Sequence, residues 1–436
     1  MSVKSAENIR NVIRYLQKFK NATVVIYLDD KTIESPLFSS HIRDIALLHQ
    51  AGIKVVIIPG ARSRIDQLLK AEKIEWTYKN GCRVTETDAM PVIKMAAFDV
   101  SNIVMTSLAA NDINAIIGNW VRSRAKGVLD GFDYGTAGEI DKLQADAIKK
   151  VLDDGFIPIF PCIGWNTSGR PYNISSVSLA QAVAISLNAD KLFYVMEGKT
   201  INSANCHVPE HFALAANGDV PAMNLEEVDE FLSANEDADF DVISVLKLAK
   251  DACRRGVTRV HLVDGNLDGV LPCEIFSDLG SGTMIYTSNY GKIRAMEQTD
   301  IPAVLGVMRP FMESGKLLSR TEQQLASELS DFVVYEIDGG VHACSALHFY
   351  GDGQAEIAAV AVDENFAHMG IGLKLVKHLI NMAKMKNAAS VFIMTTQAAD
   401  WFENLGFELG NIDDLPAERK AIWNTKRNSK VYRLRK

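Results

Sequence analysis

The strongest constraint on this chain is a repeated alternation of short β-branched runs with amphipathic segments over residues 23–263. The runs 23–28 (TVVIYL), 53–58 (IKVVII), 113–117, 156–160, 191–196 and 258–263 read as strands. Residues 38–51, 86–110, 143–154, 175–188 and 241–255 read as helices. In the first helix Ile42, Ile45, Ala46, Leu48 and His49 share one side, and Gly52 ends it. Runs that are apolar throughout suit strands covered on both faces, and the alternation makes an α/β fold with a mostly parallel sheet. Such sheets bind ligands beyond the carboxyl ends of their strands. The loops there are Asp29-Asp30, Pro59-Gly60-Ala61 and Gly118-Asn119.

Composition removes several classes. The 436 residues are 47% hydrophobic and 23% charged, an ordinary globular mix. A net charge of -8 disfavours general nucleic-acid or anionic-membrane binding. No run of 18 apolar residues is present, and Met1 to Lys20 is charged and amphipathic, without a signal core. A cytoplasmic protein is expected. The six cysteines form no CxxC pair and read as reduced thiols. His207-Val-Pro-Glu-His211 has two histidines four apart, but Pro209 disfavours the helix that would align them, so no metal site is expected. No Walker loop and no strand–GxGxxG–helix unit occurs.

The last third changes character. The stretch GSGTMIYTSNYG, near 280–291, reads as a boundary. The expected division is 1–285, a linker at 286–290, and 291–436. After a helix capped near Thr299 or Asp300, strands at 332–337 and 341–349 flank the turn Asp338-Gly339-Gly340. A strand at 356–362 leads through a loop to Gly370-Ile371-Gly372 and a helix at 371–386. Strands at 390–395, 407–409 and 430–434 and a short helix near 399–404 complete an α+β unit. A glycine loop opening a helix presents free backbone N–H groups to an anion. Without a Walker lysine it suits a pyrophosphate that is held rather than transferred, as in coenzyme A.

The order hairpin, strand, Gly-x-Gly loop, amphipathic helix, strand resembles the GNAT acetyltransferase family. The loop runs Ala367-His368-Met369-Gly370-Ile371-Gly372, with Ala367 where that family usually has a basic or amide side chain. Further segments resemble the N-acetylglutamate synthase family over nearly the whole chain. They include Met394-Thr395-Thr396, Trp401 to Phe407, Leu415-Pro416, Arg309-Pro310, Leu317 to Arg320 and Arg427-Asn428-Ser429. Gly60-Ala61-Arg62, Lys79-Asn80, Arg83-Val84-Thr85 and Asp278 to Thr283 belong to the same set.

The resemblance implies transfer of acetyl from acetyl-CoA to the α-amine of L-glutamate, the first step of arginine synthesis, without a metal. It makes Glu356 the general base and places Thr395 near the thioester sulfur. The plain alternatives are a solvent-facing carboxylate and an ordinary strand residue. Backbone groups of Ala359, Val360, Ala361 and Val362 would meet the thioester and pantetheine. Residues Ala367, His368, Met369, Gly370, Ile371, Gly372 and Leu373 would hold the pyrophosphate. The family often has Cys at the position of Ala359, so alanine favours direct attack over a thiol intermediate. Leu318, Arg320, Arg419, Arg427 and Ser429 would bind glutamate, since arginine forks suit its carboxylates. From Arg419 onward there are eight basic residues and no acidic one, which alternatively reads as a solvated tail.

The first two-thirds resembles the amino-acid kinase fold, a mostly parallel α/β sandwich, and N-acetylglutamate kinase in particular. The lysine and Gly-Gly turn that hold phosphates there are replaced by Tyr27-Leu28-Asp29-Asp30. Asn-x-x-x-Asp becomes Asn173 to Val177, and a second kinase lysine aligns near Ser244. Two carboxylates would repel a triphosphate. The expectation is a kinase-inactive regulatory domain that binds L-arginine through Tyr15, His261, Glu274 and Gly280, with Glu274 pairing the guanidinium. Ordinary packing roles are the alternative for these four. The resemblance also implies a homo-oligomer, a hexamer being favoured. The rival functions are N-acetylglutamate kinase and a non-catalytic amino-acid sensor.

Overall fold

The computed structural model describes residues 19–434 apart from 210–211, 213, 216, 237–239, 277–280, 288–290, 338, 365, 367–369, 424–426 and 428. The chain divides into two compact units, 1–288 and 289–436.

The strands of three residues or more in the first unit are, in order, β1 (Thr23–Leu28), β2 (Lys54–Pro59), β3 (Ala115–Ile117), β4 (Val121–Ala125), β5 (Gly138–Leu143), β6 (Ile157–Ile159), β7 (Ile163–Trp165), β8 (Pro171–Asn173), β9 (Lys191–Met196), β10 (Ala222–Asn224), β11 (Arg259–Asp264) and β12 (Thr283–Tyr286). Eight form one sheet in the order β10-β12-β11-β9-β1-β2-β6-β3. Only β11 and β12 pair antiparallel in it. Alternate residues feed two cores. Val25, Tyr27, Val56, Ile58 and Tyr194 face one. Val24, Ile26, Leu28, Val55, Ile57 and Phe193 face the other. This is the two-sided covering that the apolar runs predict.

The helix expected from residue 86 begins at Met90, because Pro91 suits a first helical turn and disfavours a position deeper inside. That helix, Met90–Ala109, is long and apolar enough to cross a membrane. Here it buries Ile93, Ala97, Val100, Val104 and Leu108 in the second core. A second sheet, β8-β7-β4-β5, was not expected. Its three- to six-residue strands are too short or too polar to show a periodicity.

The second unit adds β13 (Gly291–Ala295), β14 (Phe332–Ile337), β15 (Gly340–Phe349), β16 (Gln354–Val362), β17 (Ser390–Thr395), β18 (Phe407–Leu409) and β19 (Lys430–Leu434). They form one sheet in the order β13-β14-β15-β16-β17-β19-β18. The helix Ile371–Met385 packs Leu375, Val376, Leu379 and Ala383 on one face. The helix Ile301–Glu313 packs Val304 and Met308 on the other. Asp300, the expected cap, accepts the N–H of Glu297 at 2.8 Å and ties down Arg294.

Candidate active site

Parted strands open the site. Strands β16 and β17 pair in parallel only from Gln354↔Ser390 to Ile357↔Ile393. Past that point β16 continues with β15 alone, and β17 with β19 alone. Backbone groups of residues 358–362 on the β17 side are left without a strand partner.

A bulge accompanies the parting. On β15, Cys344 pairs with Ala361 and Ala346 with Ala358, so Ala359 and Val360 together oppose Ser345. Ala359 takes φ 54°, a left-handed conformation costing a non-glycine residue roughly 1–2 kcal/mol. The buried Ser345 hydroxyl donates to the Ala358 carbonyl at 3.0 Å and fixes the kink. The extra residue inverts the side-chain alternation. Ala355 and Ile357 face the helix Ile371–Met385, whereas Ala359 and Ala361 join the opposite core.

Gly370 opens the helix Ile371–Met385 with φ 62°, and no side chain caps the first turn. The N–H groups of Ile371, Gly372 and Leu373 therefore remain available to an anion. A Cβ on Gly372 would make only ordinary contacts, 3.5 Å to Trp401 and 3.6 Å to Val362. The protein's own packing does not demand glycine there, although glycine costs a helix about 1 kcal/mol. The open space suits a ligand approaching the helix end. Ala367, His368 and Met369 lie outside the described residues.

Glu356 is 4% exposed, so it is not a solvent-facing carboxylate. Arg419 meets it side-on, Nε to Oε2 at 2.7 Å and Nη2 to Oε1 at 3.2 Å. The Tyr350 hydroxyl donates to Oε2 at 2.6 Å. Burial works against the Arg419 charge, but the bonds and charge of Glu356 hold its pKa above the usual guanidinium value. Burial, then the Glu356 charge, pushes the Tyr350 phenol well up, so it stays a donor. His348 lies directly across the ladder from Glu356, and its Nδ1 is 2.8 Å from Asp331.

Thr395 ends β17, and its Oγ1 accepts the N–H groups of Ala398 at 3.0 Å and Gln397 at 3.4 Å. Its own O–H proton goes to no acceptor among the described residues. Ser429 is buried just before Lys430, the register partner of Thr395. The Arg427 Nη2 donates to the Lys316 carbonyl at 2.5 Å. Leu318 is exposed. Arg320 lies over the Phe332 ring, 5.4 Å from its centre, and pairs with Glu328 at 3.3 Å. The fold thus joins Glu356 to Arg419 and sets Thr395 beside Ser429, while Arg320 is held by Phe332 and Glu328.

Two contributors were missed in the sequence, Tyr350 and Ser345. The Gly351-Asp352-Gly353 turn was the available signal for the first. A hairpin there sets Tyr350 diagonally across from Glu356 on the same face.

In the first unit His261 and Glu274 are both buried and meet at 2.7 Å. The other Glu274 oxygen accepts the N–H groups of Ser281 at 2.7 Å and Gly282 at 3.3 Å. Burial opposes the Glu274 charge, but these donors hold its pKa below the usual carboxylate value. Burial takes His261 down to about 4, against the pull of Glu274. Oε1 of Glu274 thus takes His261 alone and Oε2 takes both N–H groups, so the carboxylate that the resemblance gives to a guanidinium is also tied within its own unit. Tyr15 and Gly280 lie outside the described residues.

The Asp29-Asp30 corner is built just as tightly. Asp29 accepts the N–H of Thr32 at 2.7 Å and of Glu197 at 3.0 Å, capping the short helix Asp30–Glu34. Asp30 accepts the Ser63 N–H at 2.8 Å and its hydroxyl. A Cβ on Gly60 would lie 2.8 Å from the Asp30 nitrogen, so the loops touch.

A parallel α/β unit followed by a parted-strand α+β unit, with a buried acid and a glycine-opened helix, defines a two-domain N-acetyltransferase. Residues 4–264 match the amino acid kinase family, and residues 328–409 match the acetyltransferase (GNAT) domain. The chain belongs to the amino-acid acetyltransferase family, the family of the N-acetylglutamate synthases. It is 32% identical to the amino-acid acetyltransferase of Shewanella oneidensis, over 98% of this chain and 97% of that one. It is 33% identical to that of Escherichia coli K12, over 98% and 96%. N-acetylglutamate synthase from Neisseria gonorrhoeae is similar in structure over 100% of this chain and 99% of that one. Its complex with coenzyme A and L-arginine is 28% identical with a TM-score of 0.80. Its complex with coenzyme A and N-acetyl-glutamate is 29% identical with a TM-score of 0.62.

Proposed function

We propose that this acetyltransferase moves the acetyl group of acetyl-CoA onto the α-amine of L-glutamate, the entry step of arginine synthesis. The observation that carries this reading is the buried Glu356–Arg419 pair beside the parted strands. One group accepts a proton there, and the other recognises a carboxylate. Glu356 takes the ammonium proton, and the freed amine attacks the thioester carbon. The C–N bond forms first, giving a tetrahedral oxyanion; its collapse breaks the C–S bond, the second nitrogen proton passes to the sulfur to give the CoA thiol, and the Thr395 hydroxyl hydrogen-bonds the thiolate as it leaves. Unpaired backbone N–H groups of residues 358–362 stabilise the oxyanion. The N–H groups of Ile371, Gly372 and Leu373 take the pyrophosphate.

Among the described residues, Arg419 Nη1 donates to no group. The edge facing away from Glu356 is therefore free to fork a glutamate carboxylate. Ser429, Arg427, Arg320 and Leu318 are assigned to the same acceptor, with Arg320 giving up Glu328 to reach it.

The first unit is assigned regulation by L-arginine rather than phosphoryl transfer. Asp29 and Asp30 occupy the carboxyl end of β1, where a triphosphate would meet two negative charges. The synthase from Neisseria gonorrhoeae whose complex holds L-arginine spans the whole of this chain. The deciding assay is CoA release with glutamate, with and without arginine. No release with glutamate but release with another amino acid would overturn the substrate. ADP formation from ATP and N-acetylglutamate would restore the kinase reading.

A further inference from the structure

We propose that Tyr350 is a positioning residue for the Glu356 base, holding Oε2 so that Oε1 is the oxygen that takes the acceptor's proton. The inference rests on Glu356 being the base. A carboxylate oxygen has two lone-pair directions. On Oε2 both are used, by Tyr350 at 2.6 Å and Arg419 Nε at 2.7 Å. On Oε1 only one is used among the described residues, by Arg419 Nη2 at 3.2 Å. The two donors on Oε2 clamp the carboxyl group and leave a direction open on its other oxygen.

Tyr350 is itself held by its backbone and by its ring. Its backbone closes the β15–β16 turn, the N–H donating to the Gln354 carbonyl and the carbonyl accepting from Gly353, each at 3.0 Å. Its ring stacks on Phe392 at 5.9 Å, on the strand that ends in Thr395. A hydroxyl fixed in this way constrains the carboxylate without occupying space an acceptor needs. Arg419 cannot do this alone, because its fork is also the means of recognising substrate.

The test is Tyr350→Phe, which keeps the ring stack and removes the hydroxyl. It is made in the full chain, alone and together with Glu356→Gln, and assayed by CoA release with the best acceptor from a panel of amino acids. Alone it should lower kcat about tenfold, the scale of one bond to a charged group, with both KM values within about twofold. In the Glu356→Gln background it should cost less than about twofold, because Tyr350 acts through the carboxylate. A tenfold loss in both backgrounds, or no loss alone, overturns the positioning role. Undiminished activity of Glu356→Gln itself overturns the base assignment, and the inference with it. A best acceptor other than glutamate overturns the substrate reading and leaves the Tyr350 comparison intact.

Discussion

Arg419 grips Glu356 by one edge, with Nε and Nη2 on the two carboxylate oxygens, and keeps Nη1 away from it. One side chain therefore touches the proposed proton acceptor and still has donors for a second carboxylate. On the proposed mechanism, Arg419 ties recognition of the acceptor to the placement of the base.

Arg419→Ala should raise the KM for the acceptor at least about tenfold and lower kcat, with the KM for acetyl-CoA little changed. It should also lower folding stability by about 3 kcal/mol, because Glu356 is left buried and unpaired. Steady-state kinetics and urea unfolding measure the two effects. Arg419→Lys should recover most of the stability and little of the acceptor affinity, since an ammonium lacks the planar fork.

Thr395→Ser should stay within about threefold of the parent kcat, and Thr395→Val should fall by about tenfold or more. The serine keeps both the acceptor for Ala398 N–H and the free O–H, whereas valine keeps only the shape. Equal rates for the two variants would remove the hydroxyl from the departure of the thiolate.

Ala359→Val should destabilise the chain by about 2 kcal/mol and depress activity, because a β-branched residue tolerates φ 54° poorly. Ala359→Gly should lie within about 1 kcal/mol of the parent, since relief of strain offsets added backbone freedom. Chemical denaturation compares the three proteins directly.

The pH dependence of stability should carry the signature of His261. Its pKa falls from 6.5 in the unfolded chain to about 4 in the folded one, because burial disfavours the charged ring. The neutral ring's contribution is present in full above pH 6.5 and is lost as pH falls toward 4. The loss is on the order of 3 kcal/mol at this site. Unfolding of His261→Gln followed between pH 7 and pH 4 should show a correspondingly shallower slope than the parent.

The sequence made some of this plain and hid the rest, for identifiable reasons. Strands Thr23–Leu28, Lys191–Met196 and Ser390–Thr395 coincide with their apolar runs, because burial on both faces leaves an unbroken signal. The bulge at Ala359 carries no such mark. Alanine is unremarkable in a strand, and the residue that fixes the kink, Ser345, lies on the neighbouring strand. Glu356 and Arg419 were each marked for a role, but their contact joins residues 63 positions apart and no local pattern encodes it. The donors to Asp29 and Asp30 come from Thr32, Glu197 and Ser63, and no local pattern shows that the two carboxylates are held this way.

That last arrangement acts as a structural lock. To make room for phosphate, the corner would have to lose the cap of the helix Asp30–Glu34, the anchor of Glu197 and the tie to Ser63. Loss of a cap alone costs about 1 kcal/mol, before any phosphate is bound to offset it. Each single replacement of these carboxylates therefore begins with a less stable protein, because the fold itself depends on them.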